Sequence, residues 1–375
     1  MDDSLKNLLS KINIFNSGST DRAIGVDIGS SAIKVVEIKK KGGKASLETY
    51  GAISLGPYAE GDMGQVTNLP ADKIAQALTE VLKQSETSTN AAAISIPVQS
   101  SLIFSVALPS NIKDSDLANI IPTEARKYIP VPITEVSLDY FSLPTKEPSY
   151  EEANNPELAT NPVEKKEVLV VAIQNEAVSK YRALATSAGL QASFFELEIF
   201  SSIRSNFEHE LSLVLLMDFG ASRTKLSLVE FGMVKAHHTI NRGGADITDS
   251  ISKSFSIPFA KAEEMKKEFG LFENPAEKDL SDIIRVHLDY IFSETTKVLS
   301  NYEKKYNQTI SKVILTGGGT MLKGLPEVAL GNFRAEVEIG RPFAKVTAPA
   351  FLDKVLTATG PEFAVALGLA LRKLQ

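Results

Sequence analysis

The pattern D-x-G-x-S-x-x-K occurs twice in this chain, at Asp27 in DIGSSAIK and at Asp218 in DFGASRTK, 191 residues apart. Each copy follows a short apolar run, AIGV or VLLM, and leads into a second strand-like segment. A supersecondary unit repeated at that distance in 375 residues predicts two similar lobes. The residue types in the turn suggest what it binds. Gly29 and Gly220 let two strands close tightly and let backbone N–H groups approach an anion. Ser30, Ser31, Ala221 and Ser222 are small enough to leave room for phosphate oxygens. Asp27 and Asp218 end their strands facing one shared site, and two carboxylates beside a polyphosphate hold Mg²⁺, commonly through its water shell. Lys34 and Lys225 either neutralise phosphate charge or lie on the outer strand face. One such turn alone says little, because Asp and Gly are common where strands end. Two copies with matched flanks predict a phosphate site.

Around the repeat, the chain divides by pattern. Residues 1–22 form an amphipathic arm, with Leu5, Leu8, Leu9 and Ile12 at helical spacing and Lys6 and Lys11 opposite. It either packs on the body or docks on a membrane surface or partner. The first lobe is expected over 23–211, opening as a three-strand meander followed by a helix near 71–84 and the buried strand AAAISIP. Its strand pattern pauses over 101–165 and restarts at EVLVVAI, which predicts an inserted small α+β subdomain ending in the polar, proline-rich loop 145–166. The helix of that insert, within DSDLANIIPTEARKYI, is interrupted or begun again at Pro122. The second lobe is expected over 212–375, with a helical subdomain at 243–310 and a closing amphipathic helix PEFAVALGLALRKL.

Composition narrows the chemistry. The chain has no cysteine, which excludes disulfides and thiolate zinc sites, and its four histidines lack metal-ligand spacing. A net charge of −6 argues against a nucleic-acid partner. No apolar run approaches the roughly 20 residues that span a bilayer, and no secretory signal is evident, so a soluble cytoplasmic protein is expected.

Two further loops join the phosphate turns. TGGGTMLKG follows the strand KVIL, and its glycines Gly317, Gly318 and Gly319 permit close backbone approach to a base or ribose. NRGGADIT places Gly243 and Gly244 just before a helix start, a ready anion site, while Asp246 in the first turn also serves as a simple cap.

Together these loops resemble the superfamily of actin, sugar kinases and Hsp70-type ATPases, whose fold is an actin-like (ribonuclease H-like) duplicated two-lobe α/β fold. Within it the chain is similar to the PilM family of type IV pilus assembly over nearly its whole length. The likeness runs through IGVDIGSSAIKVVEI, the insert LPSNIKDSDLANIIPTEARKYIPVPITEVSLDY, VLLMDFGASRTKLSLV, INRGGADITDSI, VILTGGGTMLKGL and PEFAVALGLALR. The division-protein family FtsA is the next most similar. The resemblance implies ATP and Mg²⁺ as cofactors. It implies that Asp27 with Gly29–Ser31 makes the first phosphate motif, and Asp218 with Gly220–Ser222 the second, with the metal held through water. Gly317–Gly319 would line the adenosine pocket, and Glu263 and Lys266 would meet base and ribose. Glu198 would orient the attacking water, with Glu196 two residues away able to exchange roles with it.

The resemblance also implies a partner: the cytoplasmic N-terminus of a PilN-like single-pass membrane protein, held in a groove between the first subdomain and the insert. That would recruit the chain to the inner face of the membrane, beside other pilus platform proteins and pilus ATPases. No histidine or unmistakable general base is evident near the two carboxylates, so the expected ATPase is slow at most. A small-molecule kinase would need an aspartate base in the cleft, and none is evident. A filament-forming, membrane-associated FtsA-like protein is the alternative. That family typically ends in a linker and an amphipathic helix, whereas here the last helix directly follows TATG. Monomer, dimer and filament stay open.

Overall fold

The computed structural model describes residues 21–143, 165–208, 210–271 and 278–374. Apart from their last two residues, the expected arm 1–22 and loop 145–166 lie outside the described residues. In chain order, β1 (Arg22–Ile28), β2 (Ala32–Lys41) and β3 (Lys44–Ser54) lead to α1 (Ala71–Gln84) and β4 (Ala91–Ile96). Next come β5 (Ser101–Pro109), α2 (Leu117–Ala125), β6 (Val136–Ser142) and β7 (Lys165–Gln174), then α3 (Asn175–Ser187), β8 (Gln191–Leu197) and α4 (Glu198–Asn206). The second half holds β9 (Val214–Phe219), β10 (Thr224–Glu230), β11 (Met233–Ile240), α5 (Gly244–Phe255), α6 (Phe259–Phe269) and α7 (Lys278–Tyr306). It closes with β12 (Lys312–Thr316), α8 (Leu325–Asn332), β13 (Glu336–Ile339), α9 (Asp353–Thr359) and α10 (Ala364–Leu374).

The chain forms two compact units. Of the described residues, the larger takes those up to 97 and those from 180 on, and the smaller those within 98–179. The larger unit contains two five-stranded sheets of the same design, ordered β3-β2-β1-β4-β8 and β11-β10-β9-β12-β13. In each, the strand that ends in the aspartate is central, antiparallel to the strand after it and parallel to a later one. This is the duplicated two-lobe α/β architecture expected from the repeat. Burial follows the period of each element. β1 is buried from Ala23 to Ile28, as a strand covered on both faces must be. α1 buries Ile74, Ala77, Leu78, Val81 and Leu82 along one stripe. In the second lobe, Leu215, Met217, Phe219, Leu226 and Leu228 pack against Ile247, Ile251, Ala262, Ile284 and Leu288 of the helical subdomain.

Three boundaries depart from the sequence reading. The first concerns the insert. The strand at 165–174 was expected to resume the first lobe, yet β7 lies at the centre of a separate antiparallel sheet, β5-β7-β6. α2, with Pro122 inside it, packs on that sheet through Leu117, Ile121 and Ala125 against Val106, Leu108, Val168 and Val170. A strand whose middle is a continuous buried apolar run, as here from Val168 to Ala172, carries no mark of which sheet it will join. The second concerns the chain's end, expected in the second lobe. α10 instead packs on β1, β2 and β4 of the first sheet and on α4. Residues 364–370 are all buried, so this helix needs cover on every side. The third is the apolar stretch Ala350–Leu374, which does reach the length and composition of a membrane-crossing helix. It is divided between α9 and α10, and Leu356, Phe363, Ala366, Leu367 and Ala370 are built into a core with Val36, Ile38 and Leu47.

Candidate functional site

The two copies of the repeat make the same local structure. Asp27 stands opposite Lys34 across β1 and β2, and Asp218 opposite Lys225 across β9 and β10. The turn is closed by Gly29 N–H on Ala32 O at 3.0 Å in one lobe and Gly220 N–H on Arg223 O at 2.9 Å in the other. A Cβ at either glycine would stand about as close to that same carbonyl, 3.0 Å and 2.9 Å, so the turn closes without strain only on glycine. The two turns then meet head-on, with Ser30 Oγ donating to Ser222 Oγ at 3.0 Å. Small hydroxyl residues from both lobes therefore share one locus.

The carboxylates are balanced differently in the two copies. Asp27 is buried and accepts a hydrogen bond from Ser95 Oγ at 2.8 Å, at the end of β4. Asp218 accepts from Lys225 Nζ at 2.9 Å, and the same ammonium reaches Glu198 at 2.6 Å. Burial acts against the Lys225 charge, but Asp218 and Glu198 outweigh it and hold the lysine well above its ordinary pKa. Glu198 is pushed up by burial and by the charges of Asp27 and Asp218, with Lys225 opposing. Lys34 is half-buried and makes no ion pair among the described residues. Glu196 and Glu198 take distinct positions. Although burial opposes its charge, Glu196 is held at about 2 by Arg204, Arg372 and Ser201, which tie β8 and α4 to α10.

Contrary to the expectation of no histidine near the carboxylates, strand pairing brings His237 beside this cluster, where it joins Ser227 Oγ at 3.1 Å and Thr239 Oγ1 at 3.2 Å. Burial, Lys225 and His238 push it down to about 4 against the pull of Asp218. Because the folded value lies below the unfolded one near 6.5, the neutral imidazole supports the fold above pH 6.5, and that support is lost as pH falls towards 4. The separation is worth on the order of 3 kcal/mol. His237→Gln is expected to flatten the urea midpoint over that window, while Glu196 keeps the further loss below about pH 4 in both proteins. An unchanged pH slope in the variant would place the loss elsewhere.

The remaining sequence candidates wrap the same locus. Gly244 N–H donates to Gly220 O at 2.9 Å, and Ala245 N–H to Ala221 O at 2.8 Å. Gly243 N–H donates to Asp246 at 2.8 Å, and a Cβ there would stand 2.4 Å from Ala221 O. The first N–H groups of α5 are thus spent on the second turn and on the cap, and the glycine pair serves close backbone approach. On α6, Lys266 Nζ reaches Gly244 O at 3.0 Å, Thr248 Oγ1 at 2.7 Å and Glu263 at 2.6 Å. Burial pushes Lys266 down, with Glu263 opposing. Gly317, at φ +86°, donates its N–H to Pro361 O at 3.0 Å, and a Cβ there would stand 2.3 Å from Asp218 Oδ1. A Cβ at Gly319 would strike the Phe219 ring at 2.5 Å, and one at Gly318 would lie 3.9 Å from Glu362.

The glycine turn, both aspartates, both serine turns and the Glu263–Lys266 pair therefore adjoin one another. Sequence reasoning missed Ser95, Thr248 and the bridging role of Lys225. Only Lys225 carried a signal, as the repeat partner of Lys34. Among the described residues no group of three or more His, Cys, Asp or Glu could hold a metal. A magnesium ion here would rest on phosphate and water as well as on Asp27 and Asp218, and the donor set fits that mode.

Comparison with known proteins bears on the family and the fold. The profile of the family described as Type IV pilus assembly protein PilM matches residues 25–374. The structure of a PilM-PilN type IV pilus biogenesis complex superposes with a TM-score of 0.77 at 26% identity, covering 96% of this chain and 100% of that one. Ethanolamine utilization protein EutJ from Carboxydothermus hydrogenoformans follows at 0.52 and 17%, covering 98% and 97%. MreB 5 of Spiroplasma citri bound to AMPPNP gives 0.50 and 11%, covering 94% and 95%. The last two show the fold alone, which is the actin-like one. Cell division protein FtsA of Agrobacterium fabrum is 27% identical over 176 residues, 41% of this chain and 38% of that protein. The match thus spans well under half of the curated relative.

Proposed function

As the chain belongs to the type IV pilus assembly protein PilM family, we propose that it binds Mg²⁺–ATP between its lobes and, tuned by that nucleotide, binds the cytoplasmic N-terminus of a PilN-like membrane protein. The observation that carries the nucleotide half is the meeting of the two repeat turns, Ser30 Oγ to Ser222 Oγ at 3.0 Å, with Asp27 and Asp218 behind them. The partner half is supported by the likeness to the PilM-PilN complex. Such binding would recruit the protein to the inner face of the cytoplasmic membrane.

The residues present suit the cofactor. The Lys34 ammonium has no carboxylate to satisfy among the described residues and stands opposite Asp27, where it neutralises phosphate charge. The glycine turns admit backbone N–H groups, and the Asp27 and Asp218 oxygens orient metal-bound water. When bound, Mg²⁺–ATP supplies a polyphosphate that contacts both lobes at once, so it favours whichever lobe arrangement it fits best. Glu198 already gives an oxygen to Lys225, and His237 is engaged by two hydroxyls. With no unengaged base beside the two aspartates among the described residues, turnover is expected below about one per minute, far under the ~10 s⁻¹ of a median enzyme.

Calorimetric titration with the N-terminal peptide of the PilN-like protein, with and without Mg²⁺–ATP, tests the whole reading. The wild type is expected to bind peptide with an affinity that changes on adding nucleotide, and Asp218→Asn to bind peptide without that change. Absence of peptide binding in both states would remove the partner and leave the nucleotide site. The partial FtsA match supports filament formation as the second reading, and sedimentation with ATP would reveal it.

A further inference from the structure

Residues 55–67 of the first lobe form a loop anchored at both ends to the first phosphate turn. Leu55 N–H donates to Ser31 O at 2.8 Å, and Thr67 N–H to Ser30 O at 2.9 Å. Between these anchors the loop is braced on itself and on the end of β3. Gly61 N–H donates to Gly56 O at 2.9 Å, Asp62 N–H to the Gln65 side chain at 2.8 Å, and Gly64 N–H to Ser54 Oγ at 3.3 Å. A Cβ at Gly56 would stand 1.8 Å from Asp62 O, so the loop has closed tightly on its own backbone.

The tip of this loop reaches the other lobe. Asp62 Oδ2 accepts the Ala260 N–H at 3.1 Å, in the first turn of α6. Gly64 lies against the Glu263 side chain, with its Cβ position 3.5 Å from the carboxyl carbon. α6 lacks a cap of its own, since it starts after Pro258, makes no side-chain cap bond there, and carries no acidic residue in its first turn. A helix start leaves N–H groups that want an Asp, Asn, Ser or Thr oxygen. Here the oxygen comes from 198 residues away, across the cleft. One short loop thus holds the first phosphate turn at one end and, at the other, the helix that carries Glu263 and Lys266.

We propose that residues 55–67 are a strap that keeps the nucleotide cleft shut, with the Asp62 carboxylate on the Ala260 N–H as its latch. The proposal rests on the nucleotide reading above and names how that site is regulated. A contact made only in the closed arrangement shifts the equilibrium toward it and slows release of anything enclosed. The latch is one hydrogen bond at the surface, so it opens without disturbing either core.

Because the chain has no cysteine, spin labels at Met63→Cys on the strap and Glu264→Cys on α6 report the latch directly, and both sites are exposed. Without nucleotide, the labelled protein is expected to give one narrow, short inter-label distance. Adding Asp62→Ala should broaden it to longer distances and speed release of a fluorescent Mg²⁺–ATP analogue about fivefold, the equivalent of a lost cap. Asp62→Asn keeps a capping oxygen and should preserve both readings. Unchanged distances in Asp62→Ala would overturn the latch whether or not nucleotide binds. Distances broadened equally by Asn would overturn capping as its basis. If the parent protein binds no analogue while its distances respond as expected, the nucleotide reading fails and the latch stands.

Discussion

Replacing Lys225 by Met is expected to lower stability by about 3–5 kcal/mol at neutral pH, because one cation serves two enclosed carboxylates. Lys225 is 14% exposed in its side chain, Glu198 11% and Asp218 15%, and both ion pairs are direct, at 2.6 and 2.9 Å. Methionine matches the length of lysine, so the loss reflects unpaired charge more than a cavity. The pH dependence separates the two causes. Without the ammonium, burial and the charges of Asp27 and Asp218 still push Glu198 up. A carboxyl raised above its unfolded value supports the fold at low pH and loses that support as pH rises through the folded value. The gap between variant and wild type should therefore narrow as pH is taken from 7.5 to 5 in urea titrations. A gap that holds constant would assign the loss to packing instead.

Gly25→Ala is the second large effect. The added Cβ would stand 1.8 Å from Ala366 O and 2.8 Å from Ala370 N, both backbone atoms of α10. Neither can rotate away, so the helix must lift from β1 and loosen the cover of the first sheet. The expected cost is about 3 kcal/mol, the upper end of ordinary overpacking. Gly368 on the other side of the same helix is equally confined, its Cβ position lying 1.9 Å from Ser201 O. Gly331→Ala provides the contrast. It lies in α8 with nothing within 4 Å and no positive φ, so alanine should stabilise by about 0.5–1 kcal/mol. If Gly25→Ala unfolds at the same denaturant concentration as wild type, α10 is not seated on β1 as described.

The features legible from residues alone are those whose causes are local. Asp27–Lys34 and Asp218–Lys225 each span a single tight turn, so pairing, glycine requirement and strand order within the turn all follow from neighbours in the chain. Two such turns in one chain imply two lobes, because each strand pair needs its own sheet. The stripe on α1 follows equally from its spacing. What lay beyond the residues depends on partners far away in the chain. A strand as apolar through its buried middle as β7, or a helix as apolar as α10, has no polar face there to show where it must sit, and its place is settled by which surface remains uncovered once the rest has folded. Glu196 and Glu198 look alike two residues apart, and differ because one meets Arg204 and Arg372 and the other meets Lys225. Asp62 carries no local sign of its role, since the N–H groups that it caps belong to a helix in the opposite lobe. Charge pairing and helix capping act over a few ångströms of space, and sequence distance says nothing about which groups will come that near.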